Sequence, residues 1–339
     1  MAHRNVFVLG LDRHNLDSLA RQYRASDYRF HPLLSMAELR RERVDLPDLL
    51  SRAQAQLDAF DGRIDAIVGY WDFPVSEISA GIEHIGPAFD FVLGQVELPD
   101  EVARTGGQAC LAEEAVDGPQ LTVEGYSHGG AVHLYGAVDS IPYPESPSFL
   151  RFQYPSALPE GVLQRAETIS RAVVERLGLD ATAFNIEFVV DREREGVTVL
   201  EVNPRHSQSH ARLFEHVDGA PNHQCMVRLG LGLDPRFPHR EGTYRHAAKW
   251  FVRRFTDSYV RRSPTEAEIR HVESRVPGCT AEVVAEEGAW LSECANRDSY
   301  SYEPATIHIG ADSEEELSEK YETFLAELPL ELDEPPPRD

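Results

Sequence analysis

Two short runs joined by a charged loop constrain this 339-residue chain more than any other feature. Phe184-Asn-Ile-Glu187-Phe-Val-Val190 and Val197-Thr-Val-Leu-Glu201-Val-Asn203 flank Asp191-Arg-Glu-Arg-Glu-Gly196, the pattern of two β-strands and a hairpin connection. Side chains two apart on a strand share a face, so Glu201 and Asn203 point the same way. Folding the hairpin back sets Glu187 opposite Glu201, and two carboxylates converge with an amide oxygen. Hard oxygen donors of this kind suit Mg²⁺, especially Mg²⁺ shared with substrate phosphates, and the same set suits Mn²⁺. Without a cation the carboxylates repel. A one-residue slip in register would separate the glutamates, so from spacing alone a metal site and a solvated hairpin face both stay open.

The N-terminal block reads as an open α/β unit. Val6-Phe-Val-Leu-Gly10 and Ile64-Asp-Ala-Ile-Val-Gly69 are buried-strand runs, and Leu16 to Tyr23 has helical character. Open sheets collect ligands beyond the carboxyl ends of their strands, which draws attention to Asp72. No GxGxxG motif follows the first strand, so a dinucleotide fingerprint is absent. A helical stretch at Val75–Ile82 and a strand at Phe89–Leu93 complete this part. Farther on, Leu121–Glu124 and Ala131–Tyr135 read as a hairpin around the Gly-rich turn Gly125–Gly130. Val162, Ala166, Ile169, Val173 and Leu177 have helical spacing, with Gly178 placed as a C-terminal cap. After Pro235 come strand-like Ala248–Val252, Thr280–Val284 and Thr306–Ile309, then a helix from Glu314 to Leu328.

Composition narrows the partners. Fifty-seven acidic against 33 basic residues give a formal net charge of −24. Binding to nucleic acid or an anionic membrane needs clustered cations, so neither partner is expected. No apolar run reaches the length needed to span a bilayer, and the chain reads as cytoplasmic. Cys110, Cys225, Cys279 and Cys294 form no CxxC pair, so they are read as reduced and structural.

Gly125-Tyr-Ser127-His-Gly129 is a literal G-x-S-x-G, the form of a serine-hydrolase nucleophile elbow. An elbow needs a strand before the serine and a helix after it. Here the following residues alternate as a strand, which favours a hairpin turn. A hydrolase using Ser127 is kept as an alternative.

The hairpin motif, Asn185-Ile-Glu187-Phe with Leu200-Glu201-Val-Asn203-Pro-Arg205, resembles the metal-binding hairpin of ATP-grasp enzymes. Leu111-Ala-Glu113-Glu114-Ala-Val116-Asp-Gly118, leading into Leu121, resembles their adenine-hinge segment. The first block is similar to a Rossmann-like pre-ATP-grasp domain, and the region after Tyr244 resembles the β-rich C-terminal part of carboxylase-type members. The resemblance implies an α/β chain with an α+β ATP-grasp core: residues 1–88 as the pre-ATP-grasp domain, 89–235 as a shortened core, 236–330 as a β-rich domain and 331–339 as a disordered tail.

It further implies an ATP- and Mg²⁺-dependent ligase joining a small-molecule carboxylate to an amine through an acyl phosphate. Glu187 would hold one Mg²⁺, Glu201 would bridge two, and Asn203 would hold the second. Arg205 would neutralise charge on the transferred phosphoryl group. Glu113 would accept from the adenine amino group beside the Val116 backbone, and His206, Ser209 and His210 would face the acceptor substrate. The oligomeric state stays open, a homodimer included. One departure stands out: the family's two phosphate-binding lysines have no counterpart, since Gly86–Leu111 contains no lysine and Lys249 and Lys320 lie far downstream. A non-catalytic remnant that binds nucleotide or metabolite is therefore the second alternative.

Overall fold

The structure, a computed structural model, describes residues 3–39, 46–69, 116–191, 196–294, 298 and 300–333. The chain divides into two compact units, Met1–Val116 with Met226–Pro235, and Asp117–Cys225 with Arg236–Asp339.

In the first unit, β1 (Arg4–Leu9), β2 (Tyr28–Leu33) and β3 (Ala66–Gly69) form a parallel sheet of order β2-β1-β3. Helix α1 (Arg13–Gln22) starts where Asp12 Oδ1 accepts from the Asn15 backbone N–H at 2.7 Å, satisfying one of the orphan donors of a helix start. Two further helices, α2 (Met36–Leu39) and α3 (Leu46–Asp58), join β2 to β3. Val6, Val8, Leu19, Ala66, Met226 and Val227 form the core. The expected strands at Val6 and Ile64 and the helix at Leu16 are present. The Val75–Ile82 helix, the Phe89–Leu93 strand, Asp72, Cys110 and Glu113 lie outside the described residues.

The second unit is built on one eight-stranded antiparallel sheet of order β11-β12-β9-β6-β5-β4-β7-β8. Its strands are β4 (Gln120–His128), β5 (Ala131–Pro142), β6 (Phe149–Tyr154), β7 (Thr182–Asp191), β8 (Gly196–Asn203), β9 (His246–Arg254), β11 (Cys279–Val283) and β12 (Tyr302–Ala311). The segment 236–330, expected as a separate β-rich domain, instead supplies β9, β11 and β12 to the same sheet. Likewise, β10 (Tyr259–Arg262) pairs with β13 (Glu331–Asp333), so the first three residues of the expected tail are ordered strand. Residues 334–339 lie outside the described residues.

One face of the sheet is apolar. Helix α4 (Glu160–Leu177), closed by Gly178 in the left-handed conformation, packs Val162, Ala166 and Val174 against Val123, Ile186 and Phe188. At the other end of the same face, α7 (Glu266–Arg275) and α8 (Glu314–Glu327) set Val272, Leu317 and Phe324 against Trp250, Ile307 and Ile309. Each such fully buried side chain contributes about 1.5–3 kcal/mol. Alternation along the strands therefore sends Glu124, Glu187, Glu201, Phe152, Lys249 and His308 to the opposite face. The 3-10 turn Gln208–His210, α5 (Ala211–Asp218) and α6 (His223–Gly230) follow β8.

The expected β4–β5 hairpin forms, but its turn is only Gly129-Gly130, both at positive φ. Gly125 to His128 are strand residues, paired with β5 on one side, while Gly125 to Ser127 also pair with β7 on the other.

Candidate functional site

The ladder fixes the central geometry. Asn185 lies opposite Asn203 and Glu187 opposite Glu201 across β7 and β8. On the other flank of β7, Glu124 and Thr122 of β4 lie opposite Asn185 and Glu187. Two cross-strand rows result on the polar face, Glu124–Asn185–Asn203 and Thr122–Glu187–Glu201. A register shift falls immediately after Glu187, so the two glutamates stay paired while the strands beyond them are offset.

Glu201 is exposed and Glu187 half-buried, while Asn203 is buried. Asn203 donates through Nδ2 to Asn185 Oδ1 at 3.1 Å, and its Oδ1 accepts from Arg205 Nη2 at 3.4 Å. Asn185 in turn donates to the Arg205 carbonyl at 3.0 Å, which ties the chain after β8 back to β7. Arg205 also reaches the His206 carbonyl through Nη1 at 3.4 Å. The expected set Glu187, Glu201, Asn203 and Arg205 is thus gathered at one end of the hairpin. Among the described residues no group of three or more His, Cys, Asp or Glu side chains is assembled to hold a metal ion. Two carboxylates and an amide oxygen are nevertheless what Mg²⁺ takes from a protein when phosphates and waters complete its shell. The donor set fits a nucleotide-bound Mg²⁺ and does not fit an all-protein cage.

Of the residues expected to face the acceptor substrate, His206 and His210 are buried and Ser209 is half-buried. His206 is buried to 1% exposure, with Nε2 2.9 Å from His223 Nδ1. Burial, reinforced by His223 and Arg205, holds its pKa well below 6.5. Ser209 is half-buried on the 3-10 turn. His210 is buried, and its Nδ1 lies 2.6 Å from Glu124 Oε1. The His206 and His210 rings therefore serve separate partners. Val116, the described part of the expected hinge, is exposed.

Glu124 is the site residue that sequence reasoning missed. It is fully buried, and among the described residues no lysine or arginine pairs with it. Besides His210, its Oε2 accepts from Tyr135 Oη at 2.9 Å, Asn222 Nδ2 at 3.0 Å and the Ser207 backbone N–H at 3.3 Å. Such a carboxylate is tolerable in a core only when its oxygens are met by donors of this kind. Burial first, then the Glu124 charge, pushes the Tyr135 phenol well above its usual range, which keeps it a donor. Lys249, half-buried on the same face of the sheet, holds its ammonium 4.8 Å over the Phe251 ring, and burial lowers its pKa. Lys320 donates to the Gly310 carbonyl at 2.8 Å.

Ser127 lies on the other face. It shares the parity of Val123 and Gly125, is 1% exposed, and its Oγ is 3.5 Å from the Thr182 carbonyl. No helix follows it. The hydrolase alternative has neither an elbow nor an accessible nucleophile.

Residues 153–236 match the sequence family described as carbamoyl-phosphate synthase L chain, ATP binding domain. A 69-residue stretch is 38% identical to the carbamoyl phosphate synthase large chain of Kocuria rhizophila; the match spans 20% of this chain and only 6% of that relative's length. Solved structures match nearly end to end. The L-amino acid ligase from Bacillus licheniformis superimposes with a TM-score of 0.67 at 14% identity, covering 97% of this chain and 99% of its own. Phosphoribosylglycinamide synthetase from Anaerococcus prevotii gives 0.63 at 11% identity, covering 98% and 100%. The N5-carboxyaminoimidazole synthase from Aspergillus clavatus, solved with ADP and its ribonucleotide, gives 0.57 at 11% identity, covering 96% and 98%. At these identities the likeness is one of fold.

Proposed function

The chain has the ATP-grasp fold of these ligases, and from that premise we propose that it is an ATP- and Mg²⁺-dependent ligase joining a small-molecule carboxylate to an amine. The observation that carries this reading is the register of Glu187 with Glu201 and Asn185 with Asn203, with Arg205 turned onto Asn203 Oδ1. Glu187, Glu201 and Asn203 are the residues that would hold Mg²⁺, whose charge offsets that of the nucleotide phosphates. Glu113 and the Val116 backbone, by family resemblance, take the adenine.

Arg205 presents a planar fork of donors suited to the oxygens of a transferring phosphoryl group. The substrate carboxylate attacks the γ-phosphoryl group and becomes an acyl phosphate, releasing ADP. The amine then attacks the acyl carbon, and phosphate leaves. Such chemistry on small metabolites suits a cytoplasmic protein.

A second reading, binding without turnover, is favoured by the absence of lysine from Gly86 to Leu111. Calorimetric titration with ATP, with and without Mg²⁺, tests both. Binding that requires Mg²⁺, followed by ADP formation against a panel of carboxylates and amines, supports the ligase. Binding with no turnover supports the second reading, and no binding removes both.

A further inference from the structure

Most of the buried Glu124 cluster is structural, but one atom in it is not accounted for. The carboxylate Oε2 already accepts from Tyr135, Asn222 and Ser207, and Oε1 is left for His210 Nδ1 at 2.6 Å. An ionised carboxylate only accepts, so the ring proton belongs on Nδ1 and the lone pair on Nε2. That second nitrogen has no hydrogen-bond partner among the described residues. The Phe152 ring meets the imidazole edge-on with centroids 4.9 Å apart, which limits its rotation. A carboxylate fixing one nitrogen so that the other can take a proton is the arrangement by which enzymes build a directed base.

Its position gives the base a task. Glu124 shares a cross-strand row with Asn185 and Asn203, and the adjacent row holds Glu187 and Glu201. Neighbouring strands are ~4.8 Å apart, so the Glu124 strand runs about 10 Å from the strand bearing Glu201 and Asn203. Through Glu124, His210 is held on the same sheet face as the Glu187–Glu201 pair.

We propose that His210 is the general base of the amine-transfer step and that Glu124 is its positioning residue; this rests on the ligase reading above. As the amine nitrogen forms its bond to the acyl carbon, the bond from that carbon to the phosphate oxygen breaks. Phosphate leaves with the electron pair, and the amine's surplus proton passes to His210 Nε2. Among the described residues the charged and titratable groups around the ring include Glu124 on β4, Tyr135 on β5 through Glu124, Arg205 and His206 on its own loop, His223 behind His206, and Lys249 on β9 opposite Phe152.

Two measurements on the full chain decide the matter. Long-range ¹H–¹⁵N NMR of histidine-labelled protein, assigned with His210→Gln, should find His210 neutral with its proton on Nδ1 at about pH 8. Glu124→Gln should change that proton distribution. A proton on Nε2, or a doubly protonated ring at that pH, overturns the proposal whatever the substrate. In the second measurement, ADP formation is followed with the twenty L-amino acids supplied as donors, either alone or with hydroxylamine, a nucleophile that needs little help from a base. His210→Gln should shift the rate ratio toward hydroxylamine by about 10²-fold, and added imidazole should restore part of the loss in His210→Gly. An unchanged ratio overturns the base. If wild type forms no ADP with either acceptor, the ligase reading fails for amino acid donors, and the NMR result alone decides the His210–Glu124 pair.

Discussion

Glu187 and Glu201 face each other directly across the β7–β8 ladder, two carboxylates at the same level of one sheet face. Like charges placed directly opposite in an antiparallel pair are destabilising, and the register shift just beyond them would have offered an easy way to separate them. Among the described residues no hydrogen bond or ion pair answers Glu201. The arrangement makes sense when a cation is shared between the pair. Glu201→Ala should therefore abolish the Mg²⁺-dependent part of ATP binding while leaving the fold intact, because the side chain is exposed. Calorimetry on the variant checks this, and unchanged affinity would remove the metal assignment.

The β7–β8 hairpin is legible in the sequence because both strands alternate and the loop between them is short and charged. Helix α4 is legible because its apolar spacing ends at a glycine. Strand β6 is not. Phe149-Leu-Arg-Phe-Gln-Tyr154 shows no clean alternation, since this central strand is covered on both faces: Arg151, 4.5 Å over the Trp250 ring, and buried Gln153 lie on one, while Phe152, edge-on to Phe251 and His210, and buried Tyr154 lie on the other. Glu124 is equally silent, because its partners Ser207, His210 and Asn222 come from 83 to 98 residues away. Only the folded sheet turns a strand glutamate into the centre of a polar cluster. The surroundings of His206 are hidden for the same reason: His223, which its Nε2 meets, is 17 positions on and carries no local signal.

Arg205 Nη2 lies 3.4 Å from Asn203 Oδ1, and its Nη1 lies 3.4 Å from the His206 carbonyl. Charge developing on a transferring phosphoryl group would draw the guanidinium in. Arg205→Ala should lower kcat by about 10²–10³-fold, the loss typical of removing one such donor, with a much smaller change in ATP affinity. Equal losses in binding and turnover would contradict a role confined to the transition state.

Ser127 is buried on the helix-covered face, and its hydroxyl reaches only a carbonyl 3.5 Å away. A fluorophosphonate probe should leave the protein unlabelled, and Ser127→Ala should change stability by no more than about 1 kcal/mol with activity unaltered. Covalent labelling at Ser127 would revive the hydrolase alternative.

The first glycine of the same motif is there for space rather than chemistry. A Cβ on Gly125 would lie 2.4 Å from the His133 carbonyl oxygen and 2.7 Å from Phe184 Cζ. The backbone oxygen cannot swing aside, and Phe184 is locked in the core beneath α4. Gly125→Ala should destabilise the second unit by about 1–3 kcal/mol, measured by urea denaturation. A neutral substitution would show that β4 and β5 separate more easily than their pairing implies.

His206 links stability to pH. Its pKa is held below 6.5 in the folded protein, chiefly by burial and then by His223 and Arg205. The unfolded chain therefore binds more protons than the folded one between the depressed value and ~6.5. This contribution is fully present above pH ~6.5 and is lost as pH falls toward the folded-state value, at up to about 1.4 kcal/mol per pH unit. His206→Asn removes the titrating ring while keeping a polar group near His223. Urea denaturation from about pH 7 to pH 5 should give a shallower dependence of unfolding free energy on pH in the variant. Parallel slopes would mean that His206 enters the folded state with an ordinary pKa and that the His206–His223 contact tolerates a proton.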